Sequence, residues 1–297
     1  MYNKYISIKE SNQKIIELVK SNEPFIVSRL GLGPETYISH EYDVKDELNL
    51  NYLHKQSKTL YNAGIYFKDG DYDKLLIFVK LYNKCIKNSD LLACFNINQS
   101  NHINAVQNYY SSKFTINQIH SRTLEPFYQV QDNIKPWTHF LHGKKVLVIN
   151  PFVESFKKQL ALGFKIFKDE NKMLFLPGQE FVFYKSYQTI AGNHIHDSWF
   201  DTFLIMCKDI SRLEFDIALL GCGGYGLPLC NFIKTNMNKS AIYIGGGLQL
   251  MFGVMGRRWE NNEMWKQIIK ENNTQFIKPS NEEICENSKT IEGGCYW

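Results

Sequence analysis

The chain has 297 residues, 34 basic against 30 acidic side chains and 44% apolar content, which excludes disorder along most of its length and fits one large α/β domain or a core with a helical appendage. A formal charge of +4 leaves no nucleic-acid footprint, and no uncharged apolar run reaches the roughly 18 residues of a transmembrane segment. The opening MYNKYISIKESNQ lacks the apolar core of a signal peptide, and the seven cysteines form no CxxC pair; both point to reduced thiols in a cytoplasmic protein without a structural metal.

In chain order, residues 9–22 read as an amphipathic helix with Ile15, Ile16 and Val19 on one face. PFIVSRLGLGPE then gives a short apolar strand, 25–30, ending in a loop with Arg29, Gly31, Gly33 and Glu35. From about 44 to 140 the pattern is polar and helical, clearest in KLLIFVKLYNKCIKN (74–88). KKVLVIN (144–150) is a buried strand closing on Asn150, a candidate substrate-binding residue, with a helix from near Pro151 to Phe167. MLFL (173–176) and FVFYKSY (181–187) look strand-like, and 198–213 reads as a helix. A strand at 215–221, a helix at 226–238 and a strand at 240–246 follow, with a last helix at 260–271. This rhythm predicts βαβ units in a single domain spanning 1–297: a Rossmann-like α/β fold with a mostly parallel sheet, helices on both faces, and a helical insertion at about 44–140. In such sheets ligands sit beyond the carboxyl ends of the strands, so the loops there are the candidates for chemistry.

GCGGYG (221–226) satisfies G-x-G-x-x-G with Gly221, Gly223 and Gly226, and Gly224 adds freedom. It is either a cradle for a diphosphate at a helix N-terminus or a tight strand–helix junction. The next strand ends in YIGGG with no acid for a ribose, which disfavours nicotinamide chemistry. Gly245, Gly246 and Gly247 in succession imply a backbone that must approach something closely. Arg257 and Arg258 downstream either neutralise a diphosphate or form a solvated turn, and Trp259 follows them. Glu35 serves a sugar hydroxyl or caps a helix. His194, His196 and Asp197 stand where a loop leads into a helix; each is a candidate general base, and Asp197 or Ser198 is equally a helix cap. Aromatic residues make up 14% of the chain; Tyr225, Trp199 and Trp259, beside the glycine loops, are either stacking platforms or core rings. No P-loop and no nucleophile elbow is present.

The block FDIALLGCGGYGLPLCNFIKTNMNKSAIYIGGGLQLMFGVMGRRW (215–259) resembles the GT-D-fold glycosyltransferases, in particular a GT-D-like group of bacteria and large DNA viruses. PFIVSRLGLGPE (24–35), YNAGIYF (61–67), RTLEPFY (122–128), GKKVLVINPFVESFKKQL (143–160) and GGCYW (293–297) extend the likeness over most of the chain. The resemblance implies a glycosyltransferase with a nucleotide-sugar donor, most often UDP-linked, a glycan acceptor hydroxyl, and a divalent cation (Mn or Mg) held by an acidic D-x-E pair in the loop after the first strand. Arg29 and Gly31 match that loop, but Leu32 stands where the Asp would be, and the Glu aligns with Glu35 only across one inserted residue. That departure bears on metal dependence and keeps open a second reading, a non-catalytic nucleotide-sugar-binding or scaffold protein. On the transferase reading Arg29 with Arg257 or Arg258 holds the diphosphate, and Gly221, Gly223 and Gly226 give close backbone approach.

Overall fold

A computed structural model describes residues 6–68, 70–95 and 101–297. Seven strands form one parallel sheet: β1 (Ile26–Arg29), β2 (Leu91–Cys94), β3 (Asn117–His120), β4 (Lys145–Asn150), β5 (Glu180–Lys185), β6 (Ile217–Leu220) and β7 (Ser240–Tyr243), in the spatial order β3-β2-β1-β7-β6-β4-β5. Parallel strands need crossovers, and helices supply them. These are α2 (Pro34–Lys45), α3 (Leu50–Leu60), α4 (Tyr72–Lys87), α5 (Asn101–Phe114), α6 (Pro126–Gln131), α7 (Val153–Ala161), α8 (Trp199–Ile210) and α9 (Gly226–Met237), while α1 (Ile8–Ser21) precedes β1 and α10 (Leu248–Met251), α11 (Arg257–Glu260) and α12 (Glu263–Asn272) follow β7. The fold is α/β and Rossmann-like. The stretch 44–140 is predominantly helical, and it also carries β2 and β3, each four residues long.

The pleat sends alternate strand residues to opposite faces, and two cores follow. One takes Leu92, Leu147, Ile149, Ala218 and Leu220 with Ile38, Phe78, Val106, Phe203 and Leu229 from α2, α4, α5, α8 and α9. The other takes Leu91, Val146, Val148, Ile217 and Leu219 with Ile16, Phe127, Phe156 and Trp265 from α1, α6, α7 and α12. Both faces of β4 and β6 are therefore buried, which is why KVLVIN and IALL are continuous apolar runs rather than alternating ones.

Local signals set the helix ends. Ser7 and Glu10 make a reciprocal capping box at the start of α1, and Asn22 ends it in the left-handed region at φ 58°. α7 stops at Ala161, short of the expected 167, because Gly163 turns the chain at φ +71°. MLFL is not a strand. It runs irregularly beside the 137–141 turn, where the Leu174 carbonyl accepts from Thr138 Oγ1 and the Met173 carbonyl bonds His139 Nε2 at 2.8 Å, so its backbone is satisfied away from the sheet. Among the described residues no helix is long and apolar enough to cross a membrane. All seven cysteines are free thiols, five of them buried.

The faces also locate the carboxyl-edge crevice. The chain leaves β1 towards the α2–α4 face and leaves β7 towards the α10–α12 face, and these two strands are neighbours. β2 and β3 diverge in the same way through α5 and α6. Diverging connections open a cleft above the strand ends, the usual ligand position in this architecture.

Candidate functional site

Arg29, the last residue of β1, reaches into that cleft. Its Nη1 donates to the Ile244 carbonyl at 3.2 Å, its Nε is buried without a partner, and its guanidinium lies 4.7 Å from the Phe95 ring centroid and 5.8 Å from that of Tyr243. Gly245 adopts φ +78°, and a Cβ there would strike Arg29 Nη1. The close approach expected of the Gly245–Gly247 run is thus made to the protein's own side chains. A Cβ on Gly247 would overlap the Glu125 carboxyl, and Gly246 lies under Tyr296 and Trp259.

The loop after β1 is filled in the same manner. The Glu35 carboxyl folds back over Gly31 and Gly33, where any Cβ would collide with it. It thereby occupies the N-terminus of α2, the position a phosphate takes in many related folds. Burial pushes the Glu35 carboxyl above its ordinary value, against a bond from its own backbone amide and the charge of Arg29; Oε2 is buried and unpartnered. This edge does not fit a Mn²⁺ or Mg²⁺ site. Residue 32 is apolar, Glu35 is turned into its glycine cradle, and one carboxylate supplies a small part of the roughly six oxygens such ions require. Among the described residues no group of three His, Cys, Asp or Glu converges elsewhere.

A cavity of about 450 Å³ opens above the ends of β1, β2, β3 and β7, lined by Arg29, Phe95, Ile244 and the segment from His120 to Tyr128. Its floor carries side chains that the sequence reading did not single out. Arg122 is exposed and forms no ion pair with a described residue; its guanidinium rests 5.1 Å from the Tyr128 ring centroid, as that of Arg29 rests on Phe95. Its backbone amide donates to His120 Nδ1 at 3.1 Å, which fixes the turn, and burial lowers the proton affinity of His120. Glu125 lines the same cavity as the two arginines. Desolvation pushes its carboxyl up to about 7, while Arg29 and Arg122 act in the opposite direction. Arg122 and Glu125 were present in the segment RTLEPFY, but β3 before them (NQIH) is polar and four residues long, too weak a pattern to mark its end as a strand end.

The remaining predicted residues lie elsewhere. Asn150, at the end of β4, is buried and joins two loops, donating to the Gly221 carbonyl at 2.7 Å and accepting from the Phe152 amide at 2.9 Å. GCGGYG is a packing junction and not an open cradle: a Cβ on Gly221 would sit 2.6 Å from the Gly245 carbonyl oxygen, one on Gly223 or Gly224 would crowd the Ala63 carbonyl, and one on Gly226 would enter the Tyr243 ring. Tyr225 is 1% exposed and Trp199 fully buried; the two stack at 5.2 Å, so both are core rings and not platforms for a ligand. Arg257 donates to the Gly293 carbonyl at 2.9 Å, and Arg258 pairs with Glu292 at 2.6 Å over the ring of Tyr296. Those guanidiniums hold the 292–296 segment and do not line the cavity, and Trp259 packs beside them.

His194, His196 and Asp197, in the loop between β5 and α8, pack beside Tyr66, Tyr187 and Lys68 and do not line the cavity. His194 Nδ1 donates to the Gly192 carbonyl at 2.9 Å, His196 Nδ1 bonds Thr202 Oγ1 at 3.0 Å, and Asp197, 84% exposed, lies 4.0 Å from Lys68 Nζ. Ser198 caps α8, as the sequence allowed. Fold and site together define an α/β protein with an arginine-lined, carboxylate-bearing cleft at the carboxyl edge of a parallel sheet. Comparison with protein-family models, with curated proteins and with solved structures gives no match.

Proposed function

We propose that the chain is a glycosyltransferase that moves a sugar from a nucleotide-diphosphate sugar, in the first instance a UDP-sugar, to a hydroxyl of a glycan acceptor, with the cleft around Arg29 as its centre. One observation carries the reading: two guanidiniums, Arg29 and Arg122, face a single cavity at the diverging strands, each propped on an aromatic ring and neither closed by an ion pair with a carboxylate of the described residues. Sugar transfer leaves negative charge on the departing diphosphate. Fixed donors that meet this charge as it develops lower the barrier more than donors that must reorganise, and arginine is suited to bidentate contact with phosphate. Phe95 and Tyr128 offer ring surfaces for a base or a sugar face. The GT-D likeness of residues 215–259 supports the same chemistry, although its glycine loop here does packing work, so the diphosphate falls to the arginines.

Leu32, 47% exposed in the loop that should carry the family Asp, favours the second reading, a nucleotide-sugar-binding or scaffold protein. Thermal shift with UDP, GDP and their sugars at millimolar concentration is the first test. Saturation at a hundredfold over Kd stabilises by about 2.7 kcal/mol, a shift of several degrees in Tm. Arg29→Ala should abolish the shift and the slow hydrolysis of the donor. A shift with no hydrolysis or transfer assigns the binding role; no shift with any nucleotide removes both readings.

A further inference from the structure

We infer that Glu125 is the residue of this cleft that takes the proton of the acceptor hydroxyl. The inference rests on the transferase reading above and names its base. Glu125 is the acid among the residues that line the cavity, and its carboxylate accepts no hydrogen bond from any described residue. The buried acids Glu283 and Glu35 are committed: Glu283 accepts from the amides of Glu154 and Ser155 and from the Ser155 hydroxyl, and Glu35 fills the Gly31–Gly33 cradle. Glu125 instead has a socket built for it by Gly247, where a single methyl group would displace the carboxyl. Pro126 after it restricts its backbone to the extended region, observed at φ −108° and ψ 94°, so the side chain departs from a fixed point.

The charged and titratable groups around it are Arg29 from β1, Arg122 and His120 from the turn after β3, and Tyr128 from α6; the segment after β7 presents Ile244 and the Gly247 backbone. A carboxyl held near 7 is matched to proton transfer at neutral pH, where it is both present as the base and able to keep the proton briefly. In the step, the acceptor oxygen bonds to the anomeric carbon as the bond from that carbon to the diphosphate oxygen breaks. The electron pair leaves with the diphosphate, towards Arg29 and Arg122. The hydroxyl proton passes to the Glu125 carboxylate and from there to water. A single displacement of this kind inverts the anomeric centre.

The test is the pH profile of kcat/KM with a UDP-sugar donor that the wild-type protein binds. Wild type should show an acidic limb near pH 7. Glu125→Gln should lower kcat/KM by about 10²–10⁴-fold, abolish the limb, and keep the donor-induced thermal shift, which reports a folded protein with an intact donor site. Glu125→Asp should recover part of the rate. In Arg122→Gln the limb should move to higher pH, because a cation that favours the charged carboxylate has been removed. A Glu125→Gln variant within a few-fold of wild type with its limb in place overturns the inference while leaving the transferase reading standing, as does a limb lost in His120→Gln and kept in Glu125→Gln. Wild-type protein that binds no nucleotide sugar overturns both.

Discussion

Gly247 and Glu125 are explained by each other: the backbone must come close because a carboxyl is seated on it, and the carboxyl is desolvated because the backbone is there. The pair has a consequence for stability. The unfolded chain releases the Glu125 proton near 4.5, whereas the folded protein keeps it up to about 7. Between those values the native state binds more protons than the unfolded state, so this residue's contribution falls as pH rises through the window and is lowest above it. The cavity admits water, so the effect is a fraction of the full shift, about 1–2 kcal/mol. Buried Glu35 acts in the same sense; His40, His120 and His139, whose proton affinity burial lowers, act in the opposite one. Comparison with Glu125→Gln largely cancels those others. Urea denaturation at pH 5 and pH 7.5 should show the Gln variant gaining relative stability at the higher pH; parallel behaviour at both would sink the assignment of this carboxyl as a neutral-range group. Arg29 could be read from sequence because it ends an apolar strand and precedes glycines. Glu125 could not, because its neighbour across the cavity is 122 residues away and bears no side chain.

Elements meet in this fold through glycines that sequence alone could assign either to phosphate or to packing. α9 approaches β7 closely where Gly226 faces the Tyr243 ring, and Tyr243 donates its hydroxyl to the Gly223 carbonyl at 2.9 Å. Gly226→Ala should cost about 1–3 kcal/mol from overpacking, and Tyr243→Ala about 3–5 kcal/mol from the cavity it leaves. The two changes touch one space, so the double variant should be less destabilised than the sum by at least about 1 kcal/mol. Strict additivity in chemical denaturation would show that the loop is not held by this contact. The strands legible in the sequence are β1, β4, β6 and β7, runs with both faces buried, and β5, whose FVFYK is half-buried at the sheet edge. β3 has one buried residue in four, and MLFL has apolar residues without a neighbouring strand edge, so periodicity missed the first and invented the second. The carboxyl end of β3 carries Arg122 and Glu125, and losing that strand from the reading meant losing half of the cleft.

Over the whole molecule, the seven-stranded order joins two units of chain at β1 and β7: residues up to β3 on one side, β4 to β7 on the other. The cavity lies above that seam and draws Arg29, Phe95 and the 120–128 segment from the first unit and Ile244 with the Gly247 backbone from the second. A ligand bound there contacts the carboxyl ends of β1, β2, β3 and β7, whereas one bound beside His194, His196 and Asp197 contacts Tyr66, Lys68 and Tyr187, outside that cavity. Hydrogen exchange distinguishes the two. With a UDP-sugar at saturation, amides at 29–36, 120–128 and 244–249 should gain protection together, because ordering the cleft suppresses local openings of the loops that form it. Amides at 188–198 should exchange as in the free protein. Protection confined to 188–198 would move the site to the loop before α8 and return the histidine–aspartate cluster to consideration. Protection at 221–226 alone would restore the glycine loop as the phosphate cradle, against the close packing that residues 63–65 and Tyr243 impose on it.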